Sequence, residues 1–187
     1  MNRLSSVVVV TAFLLLTSMP SFAHTVPGGT EFAADLSGGQ EVTTVSVVGA
    51  DGKTPVAIVN GPVATGAFGM VHVKLAQDRQ SLEFRLHASN FGTPVLAAHI
   101  HLGPKGANGP VLITLFSRAS QGDFPGMLSG VLTAANVEAK PGLGVNTLED
   151  VINNIFWGNA YVNVHSQTFP GGEIRGQLKR RFGKDKD

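Results

Sequence analysis

Val71-His72-Val73-Lys74-Leu75, the polar break Gln77-Asp78-Arg79-Gln80 and Leu82-Glu83-Phe84-Arg85-Leu86-His87 read as two strands and a turn. Apolar and polar residues alternate one by one through both runs, so one face collects Val71, Val73, Leu75, Leu82, Phe84 and Leu86. That is an antiparallel hairpin with one wet face. Runs of the same kind occur at 31–36, 66–76, 81–89, 95–102, 111–116, 127–133, 159–165 and 173–179. With 23 glycines and 10 prolines in 187 residues punctuating them, the pattern is that of an all-β sandwich or barrel. Asn108-Gly109 and Phe169-Pro170-Gly171-Gly172 are turn signals. Residues 43–61 are the least patterned and read as a long loop or an extra ribbon.

One segment departs from the β pattern. Between Thr147 and Gly158, apolar residues fall at 148, 151, 152, 155 and 156, the spacing of a short amphipathic helix near 147–157 whose stripe joins the core. Asn146 or Thr147 can cap its start, Glu149 and Asp150 sit in its first turn, and Gly158 can end it.

The first residues read as an export signal. Met1-Asn2-Arg3 is a short basic start, 7–16 is apolar but for Thr11, and Ser21-Phe22-Ala23 offers the small residues of a cleavage site. The apolar run is too short to span a bilayer. Cleavage after Ala23 makes the expected product periplasmic or secreted. It removes one charge, Arg3, and takes the formal net charge from +1 to 0, which argues against a nucleic-acid partner. There is no cysteine, so an oxidising compartment finds no thiol. The same cut would make His24 the first residue, with an α-amino group beside its imidazole, a pair suited to Cu(II).

The chemistry concentrates in histidines. In Leu96-Ala97-Ala98-His99-Ile100-His101-Leu102-Gly103, His99 and His101 share a strand face, their Cα atoms about 6.5–7 Å apart. His165, in Ala160-Tyr161-Val162-Asn163-Val164-His165-Ser166, supplies a third nitrogen if its strand lies nearby. Imidazoles so placed suit a transition metal, copper first and zinc second. Tyr161 and Asn163 share the face of His165 and are candidates to orient an imidazole. His72 and His87 read as solvent-facing, Met70 as core filler with a thioether that copper would accept, and Glu173 with Arg175 as a surface ion pair. No nucleophile elbow, phosphate loop or His-Glu-x-x-His is present, so no enzyme template is met.

Ala98-His99-Ile100-His101-Leu102-Gly103-Pro104-Lys105-Gly106-Ala107-Asn108-Gly109-Pro110-Val111 resembles the central motif of the CHRD domain, named from chordin and common in exported bacterial proteins. Gly158-Asn159-Ala160-Tyr161-Val162-Asn163-Val164-His165-Ser166 with Pro170-Gly171-Gly172-Glu173-Ile174-Arg175-Gly176-Gln177-Leu178 is similar to its C-terminal signature, and 32–42 to its opening strand. Thr43-Thr44 stands where many members carry prolines, and Phe169 where asparagine is usual. The resemblance implies an immunoglobulin-like antiparallel β-sandwich over 31–179, following a signal at 1–23 and a segment at 24–30, with a charged tail at 180–187. The His-x-His and Val-His strands are also similar to the copper strands of Cu,Zn superoxide dismutases, which selects His99, His101 and His165. A zinc half-site has no counterpart, since 103–110 holds neither histidine nor aspartate. Three functions are therefore on the table: an exported copper-binding sandwich, a metal-free extracellular module for a protein or glycan partner, and a copper oxidoreductase of dismutase type.

Overall fold

The computed structural model describes residues 25–48 and 55–182. The signal segment, His24 and the end of the charged tail lie outside the described residues. Eleven strands are β1 (Glu31–Ser37), β2 (Thr43–Val48), β3 (Pro55–Asn60), β4 (Phe68–Leu75), β5 (Leu82–Ser89), β6 (Val95–Leu102), β7 (Val111–Ser117), β8 (Met127–Leu132), β9 (Ala160–Ser166), β10 (Ile174–Gln177) and β11 (Lys179–Arg181). Among the described residues there are also two α-helices, α1 (Arg118–Gln121) and α2 (Leu148–Phe156), and three single 3-10 turns.

Nine strands form one antiparallel sheet in the order β7-β6-β9-β10-β1-β4-β5-β8, with β11 on β1. The sheet curls on itself, so its two halves share one core, as in a sandwich. Residues from both halves, among them Ile100, Ile113, Val162, Phe32, Val73 and Leu86, join a single buried cluster. The hairpin β4–β5 behaves as its alternation requires: Val71, Val73, Leu75, Leu82, Phe84 and Leu86 are buried. The halves meet where β10 touches β1 through the pair Ser37↔Arg175. Backbones are close at that seam, since a Cβ on Gly176 would lie 2.4 Å from the Asp35 carbonyl oxygen.

One expectation changes in detail. The run 173–179 is not one strand, because Leu178 turns fully into the core and donates its N–H to Ala160 O at 3.0 Å. The chain then leaves β9 and continues as β11 along β1. Residues 43–61 contain the extra ribbon, β2 paired with β3. α2 forms as its periodicity indicates, with Leu148, Val151, Ile152 and Ile155 buried. Thr147 caps it reciprocally: its Oγ1 accepts from Asp150 N at 3.1 Å, and Asp150 Oδ2 accepts from Thr147 N at 2.9 Å. Among the described residues no helix is long and apolar enough to cross a membrane.

The strands that carry the histidines are irregular in a useful way. β7 runs beside β6 with register shifts between Ala98 and His99 and between Ile100 and His101. Each shift leaves one extra residue on β7, Leu115 and Leu112, which explains why the consecutive pairs Leu112-Ile113 and Leu115-Phe116 both reach the core. Bulges of this kind are common beside functional sites because they re-aim neighbouring side chains.

Candidate metal centre

Alternation decides which side chains meet. On β6 and β9, Ala98, Ile100, Val162 and Val164 face the core. The opposite face receives His99, His101, Tyr161, Asn163 and His165, and β10 adds Arg175 and Gln177. The strands pair His101 with Tyr161, His99 with Asn163 and Ala97 with His165. His165 is thus the diagonal neighbour of His99 and lies across from a small alanine, free to lean toward it.

The three rings converge. Ring centroids are 5.4 Å apart for His99 and His101, 4.9 Å for His99 and His165, and 6.1 Å for His101 and His165. Among the described residues, one nitrogen of each ring lies within 4.8 Å of the others, a group that can hold a metal ion. Tautomers follow from the partners. His101 Nδ1 lies 2.9 Å from Gly109 O, and His165 Nδ1 lies 2.9 Å from Pro170 O. A carbonyl only accepts, so both Nδ1 atoms carry the proton and both Nε2 atoms present lone pairs. His99 Nδ1, 3.1 Å from His165 Nε2, then donates to it in the neutral site. His101 Nε2 is buried with no hydrogen-bond partner. A buried imidazole nitrogen with a free lone pair and no protein partner is the donor a metal ion takes.

The face is not open to solvent, as a plain sheet surface would be. The 103–110 loop folds over it, and Arg175 holds the loop: Nη1 donates to Asn108 Oδ1 at 3.0 Å, and Nη2 to Pro104 O at 3.0 Å and Ala107 O at 2.8 Å. The guanidinium lies 3.4 Å from the centre of the Tyr161 ring. Tyr161 in turn stacks on His101, with centroids 4.9 Å apart and planes 7° apart, and its hydroxyl accepts from Gly109 N at 3.2 Å. Gly109 therefore binds the layer with both backbone groups, and a side chain there is excluded, because a Cβ would sit 1.7 Å from Leu102 O.

Burial sets the electrostatics. The rings are neutral: desolvation, then the neighbouring His165 and His101, holds His99 down to about 4. Desolvation also lowers His101 and His165, against the opposing pull of Gly109 O and Pro170 O. A histidine depressed below its unfolded value of about 6.5 loses stability as pH falls, because the unfolded chain takes the proton first. Discounted for the partial exposure of the ring, His99 alone is expected to remove about 1–2 kcal/mol of stability from the metal-free protein between pH 6.5 and about 4. Denaturant melts of wild type and His99→Ala at pH 7 and 4.5 check this; equal pH slopes would contradict it.

The structure corrects two readings and completes others. Glu173 and Arg175 are not surface ions: both are buried, Arg175 to 1 % exposure. Their partners differ too, since Glu173 Oε1 accepts from Thr65 Oγ1 at 2.6 Å while Arg175 grips the 103–110 loop. Met70 is not core filler but 44 % exposed. Tyr161 does touch an imidazole. Asn163 instead donates to Glu41 Oε2 at 2.6 Å, and burial raises the Glu41 carboxyl above its usual range. The groups that orient His101 and His165 are backbone carbonyls in the turns Asn108-Gly109 and Pro170-Gly171, signals visible as turns but not as partners of histidine. His72 and His87 face outward as expected, half-buried.

Comparison with curated proteins and with solved structures finds no match. The profile of the CHRD domain matches residues 32–178, which spans the curled sheet from β1 through β10 and leaves out only β11. With the histidine strands, the loop that covers them and the C-terminal signature all inside that match, the chain belongs to the CHRD domain family.

Proposed function

We propose that this CHRD domain is an exported metal-binding protein that holds copper between His99, His101 and His165. The buried, unpartnered Nε2 of His101 carries the reading, because it stands beside two further imidazole nitrogens with its tautomer already set by Gly109. All three donors are neutral nitrogens, which suits copper ahead of zinc by intrinsic affinity and excludes calcium and magnesium. For His99 to offer Nδ1 as a ligand, its proton would move to its own Nε2, leaving all three imidazoles neutral and freeing His165 Nε2. The chain's own residues supply the rest: Gly109 O and Pro170 O fix two rings, and Arg175 fixes the loop that carries Gly109. The export reading rests on the 1–23 signal, and with cleavage after Ala23 the amino group and imidazole of His24 are candidates for an added ligand. A mass spectrum of the exported protein beginning anywhere but His24 would remove that ligand.

Copper binding should raise the melting temperature by mass action. At free Cu(II) a hundredfold above Kd the gain is about 2.7 kcal/mol, or roughly 5–10 °C for a domain of this size. Thermal melts with Cu(II), Zn(II) and a chelator test it, and identical melts in all three would contradict metal binding. The pH course of affinity also differs from that of free histidine. Since burial lowers all three imidazoles, Cu(II) affinity should persist to a pH below the roughly 6.5 of free histidine before it falls.

A further inference from the structure

At the other end of the sheet, far from β6 and β9 in strand order, both methionines that follow residue 23 flank one histidine. β4 pairs Met70 with His87 of β5, and β5 pairs His87 with Met127 of β8. The three therefore form one row across adjacent strands. They also share the outward face, because Val71, Leu86, Ala88 and Leu132 on these strands are buried and the alternate positions are not. Methionine is ordinarily a core residue. Here the two thioethers are 44 % and 66 % exposed and fill no gap in the packing.

The chemistry of such a row is specific. Adjacent strands lie about 4.8 Å apart, so the two methionine backbones stand roughly 9–10 Å apart with the imidazole between them. Each thioether swings on three rotatable bonds, so both can close on a cation above His87. Two thioethers and one imidazole make a soft, uncharged ligand set that selects Cu(I) and rejects calcium, magnesium and other hard cations. The neighbouring row does not compete for the same ion: His72 faces Arg85 and lies 3.2 Å from Arg181. Phe68, two residues from Met70 on the same face and 53 % exposed, supplies an apolar flank. We propose that Met70, His87 and Met127 form a second, surface metal site for Cu(I), independent of the histidine centre and of whether that centre binds metal.

The test uses the whole protein with 13C-methyl methionine, titrated with Ag(I) as the diamagnetic counterpart of Cu(I), alongside an anaerobic Cu(I) competition titration. Signals are assigned with Met70→Leu and Met127→Leu, conservative changes at exposed positions that leave the fold intact. The expected result is that both methyl signals shift together, saturating with one equivalent bound at this face. The Met70→Leu/Met127→Leu pair should weaken Cu(I) binding at least tenfold in a His99→Ala/His101→Ala/His165→Ala background. An Ag(I) titration that leaves either methyl signal in place overturns the site. So does a double-leucine variant that binds Cu(I) as tightly as its parent. The methyl shifts are read in wild type as well, where they report on this face whatever the histidine centre holds.

Discussion

Replacing His99 and His101 with alanine should lower Cu(II) affinity by more than about 100-fold while leaving the metal-free protein folded and less sensitive to acid than wild type. Changes to groups that merely orient metal ligands typically cost 10–100-fold, so removing two ligands should exceed that range. The stability half of the expectation comes from the same geometry. His99 is held neutral by desolvation and by crowding from two other imidazoles, and His101 leaves a buried nitrogen unpartnered. The double change removes that unpartnered nitrogen but also breaks the His101 Nδ1–Gly109 O and His99 Nδ1–His165 Nε2 hydrogen bonds, so the two effects oppose each other at pH 7. Relative to wild type, the variant should gain stability as pH falls from 6.5 toward about 4, where wild type is penalised for keeping His99 neutral. Copper titration and denaturant melts of both proteins at pH 7 and 5 give both numbers. A variant that unfolds, or that binds copper like wild type, would show that these side chains serve packing instead.

The second large effect should come from Arg175→Met, a residue that touches no proposed ligand. Methionine keeps the apolar contact with Tyr161 but leaves Asn108 Oδ1 and Ala107 O without their donor, while Pro104 O keeps only Ala107 N at 3.2 Å. Unsatisfied acceptors cost about 1–3 kcal/mol each when sealed from water, less where the loop can admit it. A loss of about 2–4 kcal/mol in unfolding free energy is expected. The loop that loosens is the one that presents the Gly109 carbonyl to His101 Nδ1, so copper affinity should fall about 10–100-fold as well. Arg175→Lys keeps the charge but not the fork, and should recover little of either. Unchanged affinity in a folded Arg175→Met protein would mean the loop does not position His101.

How much of this was legible in the sequence varies with how local the cause is. The hairpin at 71–87 and helix at 147–157 were readable because a period of two and a period of 3.6 each name a buried face. The pairing of His99 with His101 followed from the same period. That His165 joins them depends on β9 lying beside β6, a topological fact that periodicity does not carry but the order of family motifs does. Arg175 was misread for the opposite reason. Alternation places it on the outward face correctly, but the 103–110 loop, about 70 residues earlier in the chain, folds over that face and buries it. Met70 shows the converse error, since an apolar side chain was assigned to the core although Val71 and Val73 fix its face as the outer one.

The most direct measurement is X-ray absorption at the copper edge on protein loaded with one equivalent of Cu(II), for wild type and His165→Ala. Three imidazole nitrogens in the first coordination sphere of wild type, and one fewer in the variant, are the expected result. A copper sphere without imidazole, or one that His165→Ala leaves unchanged, would contradict a centre built from His99, His101 and His165.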